Sequence, residues 1–254
     1  MILTIDVGNT NIVFGVFEGE TLLFESRMDT NAARMADQYA IHLCDVLRLY
    51  GVELGGIAGA IIASVVPPVT RNIAAAVERL TGKKPLVVGP GLKSGLNIKI
   101  DNPVELGADL VCGATAAKTL YNLPCIAVDL GTVTKVMALD SSGGLMGGVL
   151  APGVGIGFKT MSEATALLPL VGTAAPGKAI GTNTTDCIRG GIIYGAASML
   201  DGLIERFESE LGEECTVVAT GGFAEVIVPH CKREFVVDKS LVSRGLRLIY
   251  ERNV

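Results

Sequence analysis

Two stretches decide the reading of this chain: MILTIDVGNTNIVFGVFEG at residues 1–19 and CIAVDLGTVTKVMALDSSG at residues 125–143. Each is an apolar run, an aspartate, one apolar residue, a glycine, a short polar tip and a second apolar run. In the D-x-G tip the glycine permits a tight turn and exposes backbone N–H groups that can bind an anion. The Thr or Asn that follows adds a side-chain donor. A carboxylate beside a phosphate is repulsive unless it holds a cation that bridges to the phosphate oxygens. Two such hairpins facing each other across a cleft would grip a polyphosphate from both sides. Asp6 and Asp129 stand about half the chain apart, so the pattern reads as one unit written twice, once at the head of each half. Two plain Asp-Gly hairpin turns are the ordinary alternative. A third glycine turn after a strand, ATGG at 219–222, shifts the reading to nucleotide binding.

Working outward, residues 1–7, 11–17 and 21–27 predict three antiparallel strands punctuated by Gly8-Asn9 and Glu18-Gly19. Helical spacing of Tyr39, Leu43, Val46, Leu47 and Tyr50 predicts a helix over 35–50. A buried strand follows at 59–66, ended by Pro67-Pro68, then an amphipathic helix closed by Gly82 and a strand at 85–89. The second half repeats the plan: three strands, a Gly-rich loop, a long helix over about 184–211 capped by Thr182 or Asn183, a strand into the ATGG turn and a closing helix. Residues 103–121 read as the helical crossover between halves. The expectation is an α/β chain of two domains, 1–117 and 118–254.

Composition limits the function. The 254 residues suffice for a large core, and 49% of them are hydrophobic. Mean hydropathy is +0.49. No apolar stretch reaches the ~18 uncharged residues of a membrane span, so strands buried on both faces and an apolar oligomer surface are the expected cause. Met1 leads straight into a strand-like run without a basic segment or cleavage site, which predicts a cytoplasmic protein without a signal peptide. Six cysteines in apolar surroundings without a CxxC pair read as buried reduced thiols. A net charge of −5 and no basic cluster argue against nucleic acid. With two distant histidines, His42 and His230, a His-based metal site is not expected.

The three turns resemble the phosphate-one hairpin, phosphate-two hairpin and adenosine turn of the actin–Hsp70–sugar kinase superfamily. TIDVGNTN at the N-terminus, SVVPPV (64–69), NPVELGAD (102–109), DLGTVT (129–134), APG (151–153), TALLP (165–169), IGTNT (180–184) and ATGGFAEVI (219–227) resemble, in order and spacing, the type III pantothenate kinase family. The resemblance implies two duplicated ribonuclease-H-like (actin-like ATPase) domains with a cleft between them. It implies ATP-dependent phosphorylation of pantothenate at the entry to coenzyme A synthesis, by a homodimer, with Mg²⁺ and K⁺ or NH4⁺. On this resemblance Asp6, Gly8, Asn9, Thr10 and Asn11 form the first phosphate hairpin, and Asp6 lies near Mg²⁺. Gly131, Thr132, Val133 and Thr134 form the second, with Asp129 on the monovalent cation. Gly221 and Gly222 let adenine approach the backbone. Asp109 accepts the proton of the attacking hydroxyl, although an acid in a helix's first turn is also favoured by the dipole alone.

The substrate side departs from the family pattern. Gly107, Ala108 and Asp109 match, but the usual arginine after them is Leu110 and the usual tyrosine is Ile100. Gly157 and Ala164 stand for a serine and an arginine, and Lys135 stands for a threonine beside the second hairpin. Thr184 is retained. A guanidinium able to hold a carboxylate bidentately is thus replaced by an aliphatic chain, with Lys99 and Lys159 as candidate substitutes. Two further readings stay open: a non-catalytic nucleotide-binding homologue, and a kinase for another hydroxylated metabolite. An apolar pair at Leu110 and Ile100 could equally fill a dimer interface.

Overall fold

The computed structural model describes residues 1–254 in two compact units. The first comprises Met1–Leu96, Asp101–Ala116 and Ser240–Val254; the second comprises Asn97–Ile100 and Ala117–Lys239. Relative to a division at 117/118, the C-terminal segment belongs with the first unit and 97–100 with the second.

In the first unit β1 (Ile2–Val7), β2 (Asn11–Glu18), β3 (Thr21–Asp29), β4 (Gly59–Ser64) and β5 (Leu86–Val87) form a sheet ordered β3-β2-β1-β4-β5. β1 pairs antiparallel with β2 and parallel with β4, and every residue of β4 from Gly59 to Ala63 is buried, as a central parallel strand requires. Alternation sorts the faces. Leu3, Ile5, Phe14, Val16, Ala60 and Ile62 meet α1 (Ala36–Leu49) and α2 (Pro67–Thr81), which contribute Tyr39, Leu43, Leu47, Val69, Ile73 and Val77. Pro67 opens α2 at its first turn and Gly82, with φ 68°, closes it. Gln38 closes the other helix start, accepting from the Met35 N–H at 2.9 Å. Ile61 and Ala63 face the opposite way, onto α3 (Ala108–Leu120) and α7 (Leu241–Glu251). Gly245 is what lets α7 approach: a Cβ there would strike the Cys112 carbonyl.

The second unit repeats the order. β7 (Cys125–Leu130), β8 (Val133–Leu139), β9 (Gly144–Pro152), β10 (Thr216–Thr220) and β11 (Val236–Val237) run β11-β10-β7-β8-β9, with the short β6 (Asn97–Ile98) added beside β9. That last pairing explains why 97–100 leaves the first unit. Ile126, Val128, Leu130, Val136 and Val217 pack against α5 (Thr184–Leu211) through Ile188, Ile193, Ala197, Leu200 and Ile204, and against α6 (Ala224–Ile227). Asn183 caps α5, accepting from the Asp186 N–H at 2.9 Å. By length and composition alone α5 could cross a membrane, but Asp186, Arg189 and Asp201 interrupt its apolar run and one face packs in this unit's core.

The Gly-rich loop expected after β9 contains a helix, α4 (Val154–Glu163). Its glycines weaken the helical signal but serve packing: a Cβ at Gly155 would lie 3.2 Å from the Phe223 ring, and one at Gly157 would lie 3.6 Å from Ile192 of α5. The cysteines also depart from expectation in part. All six are free, but Cys187 is exposed and Cys44 and Cys231 are half-buried. Burial and Asp201 push the Cys231 thiol up to about 12, and burial pushes Cys125 to about 12 as well.

Candidate active site

Parallel neighbouring strands deliver their loops to the same edge, and in each unit the D-x-G hairpin lies at such an edge. In the first, Val7 pairs with Ser64, so the carboxyl end of β1 stands beside the SVVPPV segment. The tip is pinned from behind: Thr30 Oγ1 donates to the Gly8 carbonyl at 2.7 Å and the Gly8 N–H donates to Asn11 at 3.0 Å. Asn9, Thr10 and Asn11 are left exposed. Ser64 organises the next turn, its Oγ accepting from the Val66 N–H at 3.0 Å and from the Thr70 hydroxyl at 2.6 Å. Gly107 adjoins this edge, since a Cβ on it would reach Val65 at 3.7 Å.

Asp6 lies on the α3 face of the sheet, in register with Ala63. Asp109 lies in the first turn of α3. Both raise the acidity threshold of one reporter: Cys112 sits fully buried, and its thiol is pushed well above the ordinary range by burial first, then by the charges of Asp6 and Asp109. The first hairpin and the general-base candidate therefore converge. Asp109 Oδ1 accepts from the Leu110 backbone N–H at 2.9 Å, which holds the carboxylate at the helix start. Leu110 itself is half-buried.

In the second unit Thr220 pairs with Asp129, so the ATGG turn stands beside the second hairpin. Gly221 has φ 94°, and the Phe223 N–H donates to the Leu130 carbonyl at 3.1 Å, closing the turn. Gly131 and Gly221 both crowd Asp129: a Cβ at either would lie 3.3 or 2.6 Å from its Oδ1. Gly153 seals the tip from the other side, where a Cβ would fall 2.5 Å from the Gly131 carbonyl. That is the physical role of the APG motif. α4 begins directly after Gly153 with no side-chain cap on its first turn. Thr132 and Gly222 are exposed and Val133 is half-buried. Thr134 is buried, with an Oγ1 that meets no partner.

Opposite Asp129 in the β7–β8 register stands Lys135, whose Nζ lies 2.7 Å from Asp129 Oδ2. Neither candidate substitute for the missing guanidinium is idle: Lys99 pairs with Asp140 at 2.5 Å and Lys159 pairs with Glu163 at 3.8 Å. Ile100 is half-buried in the second unit, and Thr184 is exposed at the start of α5. No group of three or more His, Cys, Asp or Glu side chains is placed to hold a metal ion.

The family model for type III pantothenate kinase matches residues 2–206. The chain is 41% identical over 253 residues to a type III pantothenate kinase from Moorella thermoacetica, covering 100% of both chains. It is 40% identical over 254 residues to one from Halalkalibacterium halodurans, again with 100% of both covered. Among solved structures it resembles the ROK hexokinase from Thermus thermophilus, with TM-score 0.53, 14% identity, and 100% of this chain and 99% of that one covered. The hexokinase likeness reflects a shared two-domain actin-like α/β fold, and the full-length identities fix the branch: the chain belongs to the type III pantothenate kinase family.

Proposed function

We propose that the protein transfers the γ-phosphoryl group of ATP to the primary hydroxyl of pantothenate, yielding 4'-phosphopantothenate as the first step of coenzyme A biosynthesis. The observation that carries this reading is the packing of Ala63, the β4 residue beside Asp6, with Cys112, one turn after Asp109 on α3. It supports reading the first hairpin and Asp109 as parts of one site. In this reading the tips at Gly8–Asn11 and Gly131–Thr134 bind phosphate through backbone amides and hydroxyls, and Gly221-Gly222 admits the adenine. Asp109 orients the attacking hydroxyl and accepts its proton. With a loose transition state, orientation matters more than full deprotonation.

A divalent cation such as Mg²⁺ fits Asp6. The protein offers no preformed cage, and Mg²⁺ commonly binds one or two carboxylates together with substrate phosphates. When bound, it neutralises phosphate charge. The monovalent cation, K⁺ or NH4⁺, implied by the family resemblance fits less well, because Lys135 already holds Asp129. Gly107, Ala108, Asp109, Leu110, Ile100 and Thr184 would line the acceptor side. The working form would be a cytoplasmic homodimer, with no nucleic-acid or membrane partner. The apolar positions of α5, Ile188, Ile192, Ile193, Met199, Leu200 and Leu203, pack against the core of their own unit, so the homodimer rests on the family resemblance.

Half-buried Leu110 beside Asp109 favours a second reading, in which the chain binds nucleotide but captures pantothenate poorly, acting on another hydroxylated metabolite or as a non-catalytic homologue. ADP release from Mg-ATP with and without pantothenate separates the two. Saturable, pantothenate-dependent ADP release supports the kinase. ATP binding without such release favours the second reading.

A further inference from the structure

We propose that Lys135 is the resident cation of the second phosphate hairpin: its ammonium occupies Asp129, which therefore takes no monovalent metal ion, and supplies positive charge to the bound phosphates. The inference rests on the nucleotide-binding reading above and adds a residue to that site. Three observations on the second unit carry it. Asp129 and Lys135 are directly opposed in the antiparallel β7–β8 register, so the pair is fixed by backbone pairing, not by a chance surface rotamer. Their side chains are 23% and 19% exposed and meet at 2.7 Å, the length of a charge-assisted hydrogen bond. The other carboxylate oxygen, Oδ1, is hemmed by Gly131 and Gly221, where added Cβ atoms would stand 3.3 and 2.6 Å away.

The first hairpin makes an internal contrast. There the residue opposite Asp6 is Val13, which offers no charge. The second hairpin carries a cation at the position where the first carries Val13. A hydrated metal ion competing for Asp129 must displace an ammonium tethered by its own backbone. An ammonium has three donors, so one can remain on Asp129 while others face the hairpin tip.

The test is Mg-ATP affinity by calorimetry at constant ionic strength in potassium, sodium or choline chloride, together with thallium-205 line broadening on the protein without nucleotide. Wild type should show the same ATP affinity within about twofold in all three salts, and no potassium-competed thallium binding. Lys135→Thr should lose affinity about tenfold in choline, regain it in potassium, and bind thallium. A wild-type protein whose ATP affinity needs potassium, or which binds thallium in competition with potassium, overturns the proposal. So does a folded Lys135→Thr whose ATP affinity is unchanged in choline. If wild type binds no Mg-ATP in any salt, the nucleotide reading fails, and the thallium arm still decides what occupies Asp129. Wild-type measurements alone decide the cation question if the variant does not fold.

Discussion

Gly221 stands so close to Asp129 that a Cβ on it would lie 2.6 Å from Oδ1, and it holds φ at 94°. The ATGG turn and the D-x-G hairpin at Asp129 are thus one packed unit, held at the carboxyl ends of paired parallel strands. Gly221→Ala combines backbone strain with a clash against Asp129 and Leu130. It should destabilise the protein by about 2 kcal/mol or more. Gly222→Ala meets nothing within 4 Å and should change stability little. Urea unfolding of the two variants measures the difference.

Asp6 and Asp109 should separate functionally although they share a neighbourhood. Asp109→Asn should lower kcat by about 10²-fold or more while leaving Mg-ATP affinity near wild type, because in the proposed reaction the lost group serves the acceptor hydroxyl. Asp6→Asn should weaken Mg-ATP binding itself. Calorimetry with Mg-ATP beside ADP-release kinetics distinguishes them. Unchanged ATP binding in Asp6→Asn would remove the first hairpin from the site.

Leu110 defines the acceptor question. If Leu110 marks a lost carboxylate clamp, wild type shows a high KM for pantothenate, and Leu110→Arg, combined with Ile100→Tyr, raises kcat/KM by roughly tenfold or more, chiefly through KM. The Leu110 side chain is half-buried, so folding of the variant is checked first by thermal denaturation. Efficient wild-type turnover at low pantothenate would show that no arginine is needed.

Subunit association is read by light scattering. The protein should run at twice its 26.4 kDa chain mass at micromolar concentration.

Acid stability has a local source at Asp140. Lys99 first, then the Ser142 hydroxyl, hold its carboxyl well below the usual carboxylate range, with further N–H bonds from Gly144 and Ser142. A depressed folded pKa adds stability that is present above about pH 4, where the unfolded carboxyl is ionised, and is lost as pH falls through the folded value. Asp140→Asn should therefore narrow the stability difference between pH 5 and pH 2. Because Lys99 is partly exposed, added salt should shrink the wild-type effect. Urea midpoints across that range measure both.

Much of this protein was legible without coordinates, for identifiable reasons. Strand alternation and glycine punctuation are local signals. They place β1 to β4, β7 to β10, α1, α2, α5 and α7 close to where they lie, including Gly82 as a C-cap and Asn183 as one of two N-cap candidates. The order and spacing of the D-x-G hairpins, SVVPPV and the ATGG turn likewise carry the family, because phosphate-binding turns need glycine at fixed places. α4 was hidden because Gly155 and Gly157 lower helical propensity, and their value appears only against Phe223 and Ile192.

What the linear pattern left undetermined were partners distant in the chain. Gly245 looks like a flaw in a helix until Cys112 is seen behind it, and that contact draws the last helix into the first unit. Lys99 and Lys159 looked available as cations until Asp140 and Glu163 took them. Lys135 was visible beside the hairpin, but only the β7–β8 register sets its ammonium on Asp129. Periodicity and turn chemistry are written in neighbouring residues and so belong to the sequence. Which charge meets which carboxylate depends on strand register and burial, and these the tertiary structure alone decided.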